Sequence, residues 1–182
     1  MEERSVELIN SCNFRDVSPI MAELPYPAVQ VQRKNPEYAD LLSIDCCGQV
    51  SEFSAITQYI NHENRLSLKQ CAIAKTLLGI AIAEMVHLQK LSEMTLLLGG
   101  EINYTARYRD GRKRVWTPGY LKFSDDVGEI LRINIEGEKN AIEQYQKHIR
   151  MIKDDHINVM LTRIIKDEEY HIFLLQTLLK GV

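Results

Sequence analysis

Little in this sequence turns or breaks the chain. Nine glycines and five prolines among 182 residues are too few for a collagen-like, low-complexity or turn-dense all-β protein. Charge of one sign is not in excess either. The 22 basic and 25 acidic residues leave a net charge of −3, which excludes a general electrostatic grip on nucleic acid. Long apolar runs are missing, since the longest, near 77–83, falls far short of the roughly 18–20 residues that cross a bilayer. Residues 1–14 lack the basic-then-apolar order of a secretory signal. Cys12, Cys46, Cys47 and Cys71 show no Cys-x-x-Cys spacing and no disulfide framework. The expectation is four free, mostly buried thiols in a reducing compartment, and so a cytoplasmic protein with no membrane and no nucleic-acid partner.

What is present is helix. Residues 1–34 carry Pro19, Pro25 and Pro27 and one alternating stretch, 28–32, that resembles a short strand. This segment reads as an extended N-terminal arm over the domain or a partner subunit, and 35–182 as one domain. Asn35-Pro36-Glu37 is a strong helix start, and nothing stops that helix until about Asn64. A second helix runs from near Ser67 to Leu98, before Gly99-Gly100. Residues 99–124 break the pattern, and Asp110-Gly111 there signals a hairpin turn. Its basic residues, Arg107, Arg109, Arg112, Lys113 and Arg114, read as a solvated surface. Ser124 or Asp125 caps a third helix ending near Ile152, and a fourth runs from Asp154 to Lys180. The fold class is all-α, an antiparallel four-helix bundle with one long crossover that holds a short β-hairpin.

Two Glu-x-x-His motifs, Glu84 with His87 and Glu168 with His171, place a carboxylate and an imidazole one turn apart. With 16 Glu and 5 His, chance alone gives roughly 0.4 such pairs, so the count by itself decides nothing. Their surroundings carry the argument. The helical stripes Leu77, Ile80, Ala81, Glu84, His87, Leu88, Leu91 and Leu161, Ile164, Ile165, Glu168, His171, Ile172, Leu175 are otherwise apolar and face a core. A buried carboxylate needs a cation, a proton or a metal, and neither stripe carries Lys or Arg. The other two helices supply more. Aligning 52–62 with 138–148 gives six identities in eleven positions: Glu, Ala, Ile, Gln, Tyr and His. The offset is 86 residues, and the Glu-x-x-His motifs repeat at 84, so a helix pair is duplicated. The duplication selects Glu52 and Glu138 among many glutamates. Four carboxylates and two neutral imidazoles carry −4, which balances two divalent ions, and mixed O/N ligation suits Fe or Mn.

These residues resemble the ferritin-like superfamily, most closely its rubrerythrin and bacterioferritin branches, over about 36–180. The resemblance implies that Glu52 and His87 bind one metal, Glu138 and His171 the other, and Glu84 and Glu168 bridge them. Two features depart from the rubrerythrin pattern: Ala141 stands where a further Glu is usual, and no rubredoxin-like cysteine site is present. Met85 stands where bacterioferritins carry a haem-ligating methionine, but methionine on a helix is ordinary core filler and haem is not expected. Tyr59 and Tyr145 fall two turns beyond Glu52 and Glu138 and face the same interior, either as ordinary core tyrosines or with a hydroxyl that orients a ligand carboxylate or donates to bound peroxide. His62, His148 and Asp45 read as capping or solvated residues.

The resemblance implies a non-haem di-iron oxidoreductase of rubrerythrin type that reacts with hydrogen peroxide or dioxygen. It would take electrons from an external donor such as a rubredoxin or a reductase and work as a homo-oligomer, a dimer. Three alternatives share the same ligands: a di-manganese catalase, a ferritin-type ferroxidase for iron storage, and a metal-stabilised structural protein. The arm and the hairpin, which would obstruct close packing of many subunits, weigh against a storage shell.

Overall fold

The computed structural model describes residues 12–14 and 16–182. Most of the stretch 1–14 searched for a secretory signal, and the start of the arm, lie outside them. Five helices follow the arm: α1 (Pro36–Cys47), α2 (Glu52–Leu66), α3 (Cys71–Leu97), α4 (Val127–Met151) and α5 (Asp155–Leu179). Helix α2 packs along α3, and α4 along α5, while α1 lies against α3 and the crossover hairpin. This is the all-α bundle that the sequence implies.

The first helix is not continuous, contrary to expectation. α1 ends at Cys47, and Ser51 starts α2 by accepting a hydrogen bond from Ser54 N (3.2 Å). The carbonyl of Gly48, freed by the break, accepts from the Ser51 and Ser54 hydroxyls (2.8 and 3.0 Å). Local serine bonds thus satisfy the backbone that continued helix would have satisfied. As a result Glu52 is the first residue of α2. The start of α3 also differs. Ser67 does not cap it, because its hydroxyl donates back to Asn64 O (3.0 Å), and the helix begins at Cys71.

Cys71 and Cys12 form a disulfide, which corrects the expectation of four free thiols. Cys46 and Cys47 are free and buried, and burial raises both thiol pKa values, that of Cys47 to about 11. The argument for a reducing compartment therefore loses half of its cysteines. The arm continues over the bundle. Ile20 N donates to Gly79 O (3.0 Å), and a Cβ on Gly79 would sit 2.8 Å from the Ile20 side chain, so a larger residue there would force Ile20 to shift. Residues 28–32 keep the alternation read from the sequence, as half-buried and exposed side chains, but pair with no strand among the described residues.

The crossover hairpin pairs β1 (Thr105–Arg107) with β2 (Lys113–Val115), antiparallel, through a turn with Gly111 at φ +79°. It is tied to the bundle by Arg107 N donating to Ser43 Oγ (2.9 Å) and Trp116 Nε1 donating to Ser54 Oγ (3.0 Å). A 3-10 turn (Pro118–Tyr120) then leads to α4, which Asp126 caps rather than Ser124 or Asp125.

Helix α3 is long and apolar enough to match a membrane span by length and composition, with a mean hydropathy of 1.6 over its best window, although no single apolar run suggested it. Half of that window is buried inside the bundle, as expected of a central helix. Apolar side chains fill the two ends of the bundle. One cluster gathers Leu42, Leu91, Met94, Leu161 and Ile164, and the other Ile73, Leu77, Ile80, Leu131 and Leu175. Burial of each such side chain contributes about 1.5–3 kcal/mol. Between the two clusters the same helices turn polar inward.

Candidate metal centre

The interruption of the apolar core is built from four helices. α3 brings Glu84 and His87, α5 brings Glu168 and His171, and α2 and α4 bring Glu52 and Glu138; every one of the six is buried. Donor atoms of Glu52, Glu84, His87 and Glu168 lie within 4.8 Å of one another, and so do those of Glu84, Glu138, Glu168 and His171. The two groups share Glu84 and Glu168. The structure therefore brings together all six residues singled out by duplication and stripe.

Each histidine turns Nδ1 inward and uses Nε2 outward. His87 Nδ1 lies 2.7 Å from Glu84 and 3.4 Å from Glu168, while Nε2 donates to Asp167 Oδ2 (3.0 Å). His171 Nδ1 lies 3.1 Å from Glu168 and 3.2 Å from Glu84, while Nε2 donates to the arm carbonyl of Ile20 (2.8 Å). Such outward bonds fix the tautomer and ring orientation that a metal-binding imidazole needs. Asp167 is itself held by Arg163 (2.7 Å), by Ala22 N (2.7 Å) and by the Tyr26 hydroxyl. These three bonds, with that from His87, keep its pKa down at about 2 despite burial.

The tyrosines cross between the duplicated halves. Tyr59 of α2 donates to Glu138 of α4, and Tyr145 of α4 donates to Glu52 of α2. Each hydroxyl thus orients the carboxylate of the opposite helix, not its own.

The donor set fits two divalent ions. One buried oxygen each of Glu84 and Glu168, the shared pair, makes no hydrogen bond among the described residues and has only an imidazole Nδ1 beside it, 3.2 and 3.4 Å away, a costly arrangement unless a cation meets them. The charges say the same. Burial raises the pKa of Glu52 well above the usual carboxylate range, and burial with the neighbouring Glu84 raises that of Glu138 to about 8. Burial works against the charged forms of His87 and His171, yet the surrounding glutamates raise both imidazole pKa values, and in return the histidines hold Glu84 below its ordinary value. Without an ion, protons must occupy this centre.

Three residues read as capping or solvated are buried instead. His148 Nδ1 meets Asp45 Oδ2 (2.7 Å), and His62 Nδ1 meets Asn134 Oδ1 (3.1 Å). The duplicated glutamines secure the connections: Gln144 donates to Val50 O (2.8 Å) and Gln58 to Lys122 O (2.7 Å). Together these pairs account for the Gln and His of the repeat, which helix periodicity could not assign because their partners sit on other elements. Met85 is exposed, so it is not core filler. Sequence reasoning missed Asp167 and Asn134. Asp167 offered a weak signal, a third acid beside the Glu-x-x-His motif and four residues after Arg163.

A cavity of about 150 Å3 reaches the cluster from between α2 and α4, and Glu52, Glu84, Glu138 and Glu168 form its inner end. Ala55 and Ala141, the duplicated alanines, line it beside the ligand glutamates. The small side chain in place of a further glutamate leaves this space open.

Fold and centre together define a dinuclear-carboxylate protein of the helical-bundle kind. Residues 49–182 match the ferritin-like domain, and the chain belongs to that family. It is 27% identical over 171 residues to a probable manganese catalase of Clostridium acetobutylicum, covering 85% of this chain and 75% of that one. Among solved structures it is similar to the manganese catalase KatB of Anabaena (TM-score 0.76, 24% identity, 88% and 78% of the two chains). It is also similar to the bacterioferritin of Rhodobacter capsulatus (TM-score 0.68, 23% identity, 82% and 87%).

Proposed function

We propose that this protein is a dinuclear manganese catalase, which converts two hydrogen peroxide molecules into two waters and one dioxygen. The observation that carries the reading is a six-residue ligand set, sharing Glu84 and Glu168, at the inner end of a cavity of about 150 Å3. A cavity of this size admits hydrogen peroxide to the carboxylates. The Clostridium relative supports manganese over iron and a reaction in which one peroxide is reduced and the other oxidised, with no external donor.

Glu52 and His87 would hold one ion, Glu138 and His171 the other, and Glu84 and Glu168 both. Bound there, the ions supply Lewis acidity and a reversible two-electron change. The chain supplies the frame. Asp167 and Ile20 O aim the imidazoles, Tyr59 and Tyr145 aim the outer carboxylates, and the apolar clusters above and below exclude bulk water. The test is metal analysis of protein expressed with manganese and iron both present, followed by peroxide consumption without reductant. Two Mn per chain and sustained oxygen evolution are expected. Two Fe per chain with turnover only on added reductant would return the assignment to the rubrerythrin-type peroxidase, and accumulation of many irons per chain to storage.

A further inference from the structure

One wall of the cavity is a hydrogen-bond network with a donor left over. Gln58 grips the backbone of Lys122 in both directions, accepting from its N–H (2.8 Å) and donating Nε2 to its carbonyl (2.7 Å). The second Nε2 hydrogen is directed at His62 Nε2, 2.9 Å away. His62 Nε2 also lies 3.1 Å from the Lys122 carbonyl, but Gln58 already engages that carbonyl at 2.7 Å and a hydrogen on Nε2 would point into the Gln58 amide, so Nε2 accepts. Burial lowers the pKa of this imidazole and keeps it neutral, so its one hydrogen sits on Nδ1 and goes to Asn134 Oδ1 (3.1 Å). That bond fixes which way the Asn134 amide faces. Among the described residues its Nδ2 has no partner, although the residue is only 3% exposed and lines the cavity. An unpartnered buried amide costs about 1–3 kcal/mol, a cost removed when a ligand accepts from it. Asn134 also precedes Glu138 by one helical turn, so both lie on one face of α4.

We propose that Asn134 is a substrate-binding residue whose Nδ2 donates a hydrogen bond to an oxygen of a small, uncharged peroxide inside this cavity. The chemistry selects the class. The group offered is a neutral donor, the space admits hydrogen peroxide, and two divalent ions would balance the four carboxylates at the inner end, so nothing there selects a charged ligand. Peroxide accepts hydrogen bonds well, whereas dioxygen accepts them poorly. The site is one-sided. By the repeat, position 134 corresponds to Gly48, which has no side chain to offer, and His148 in that half faces Asp45.

The inference rests on the peroxide reading, and its test separates the two. Wild-type protein loaded with redox-inert zinc is titrated with hydrogen peroxide while the side-chain amide resonances of Asn134 and of the exposed Asn64 are followed by nitrogen-15 NMR. Saturable movement of the Asn134 pair alone is expected. An unmoved Asn134 pair overturns the proposal, whatever the activity of the native metal form. In manganese-loaded protein, Asn134→Leu, which keeps the volume and removes the amide, should raise the peroxide KM roughly 5- to 10-fold with two metals retained and kcat less affected. An unchanged KM overturns the proposal as well. A manganese-loaded wild type that evolves no oxygen defeats the catalase reading, and the zinc titration still decides whether Asn134 holds peroxide.

Discussion

The helix pair α2–α3 and its duplicate α4–α5 turn the same inner face to the centre and rest on different supports. In the first half Glu52 opens a helix, at the end where the helix dipole favours a carboxylate, whereas Glu138 lies mid-helix in α4. His87 leans on a carboxylate, Asp167, and His171 on a neutral arm carbonyl. His62 meets an amide and His148 an acid. The duplicated halves share what touches the centre, as two like ions would require. What lies one contact further out was free to diverge, and there the arm and α1 contact the copies unequally. Two ions held this way would be inequivalent, because the imidazole backed by Asp167 is the stronger electron donor.

The largest test asks whether the halves act as one unit. His87→Ala and His171→Ala should each leave one metal weakly held and abolish peroxide turnover, while the exposed Glu143→Gln changes neither. Either histidine variant keeping two metals and full activity would break the assignment of both halves.

Metal removal sharpens the comparison next. Glu138, with its pKa raised to about 8 from 4.5, binds more protons folded than unfolded between those values, and Glu52 is shifted the same way. The raised histidines add the same sign above their unfolded value, about 6.5. Their contribution to the stability of metal-free protein should therefore begin to fall above about pH 4.5 and drop by on the order of 3 kcal/mol between pH 5 and pH 8. Metal replaces the protons and should flatten the curve. Melting temperatures of chelated and manganese-loaded protein across that range are the measurement, and a gap that does not widen with pH contradicts a shared buried centre.

Asp167→Asn isolates the asymmetry. Loss of the carboxylate behind His87 should weaken one ion about 10- to 100-fold and leave the other unchanged, read by stepwise metal titration. Equal weakening of both would mean that the halves are coupled more tightly than their separate supports suggest.

The smallest effects belong to the crossed tyrosines. Tyr59→Phe and Tyr145→Phe each remove one hydrogen bond to the opposite glutamate, worth about 1 kcal/mol of metal-loaded stability. The Tyr145 variant should act on the ion of Glu52 and the Tyr59 variant on that of Glu138, so combining each with Asp167→Asn should show coupling for Tyr145 only.

The sequence alone determined the bundle, its long crossover with a hairpin, and the six inward residues, because helix periodicity and an internal repeat are local records of which face is buried. It did not reveal the break before Glu52, since the serine bonds that end one helix and start the next resemble ordinary turns only once the carbonyl of Gly48 is seen to need them. The Cys12–Cys71 bond spans 59 residues with no spacing rule to announce it. Asp167, Asn134, His62 and His148 took their roles from partners on the arm, α1, α2 and the crossover. Which glutamate a tyrosine holds, which nitrogen of an imidazole faces inward and which amide is left with a free donor are properties of contacts between distant segments. Only the folded chain decides them, because a hydrogen bond needs its acceptor within about 3 Å and sequence spacing fixes such distances within one helix alone.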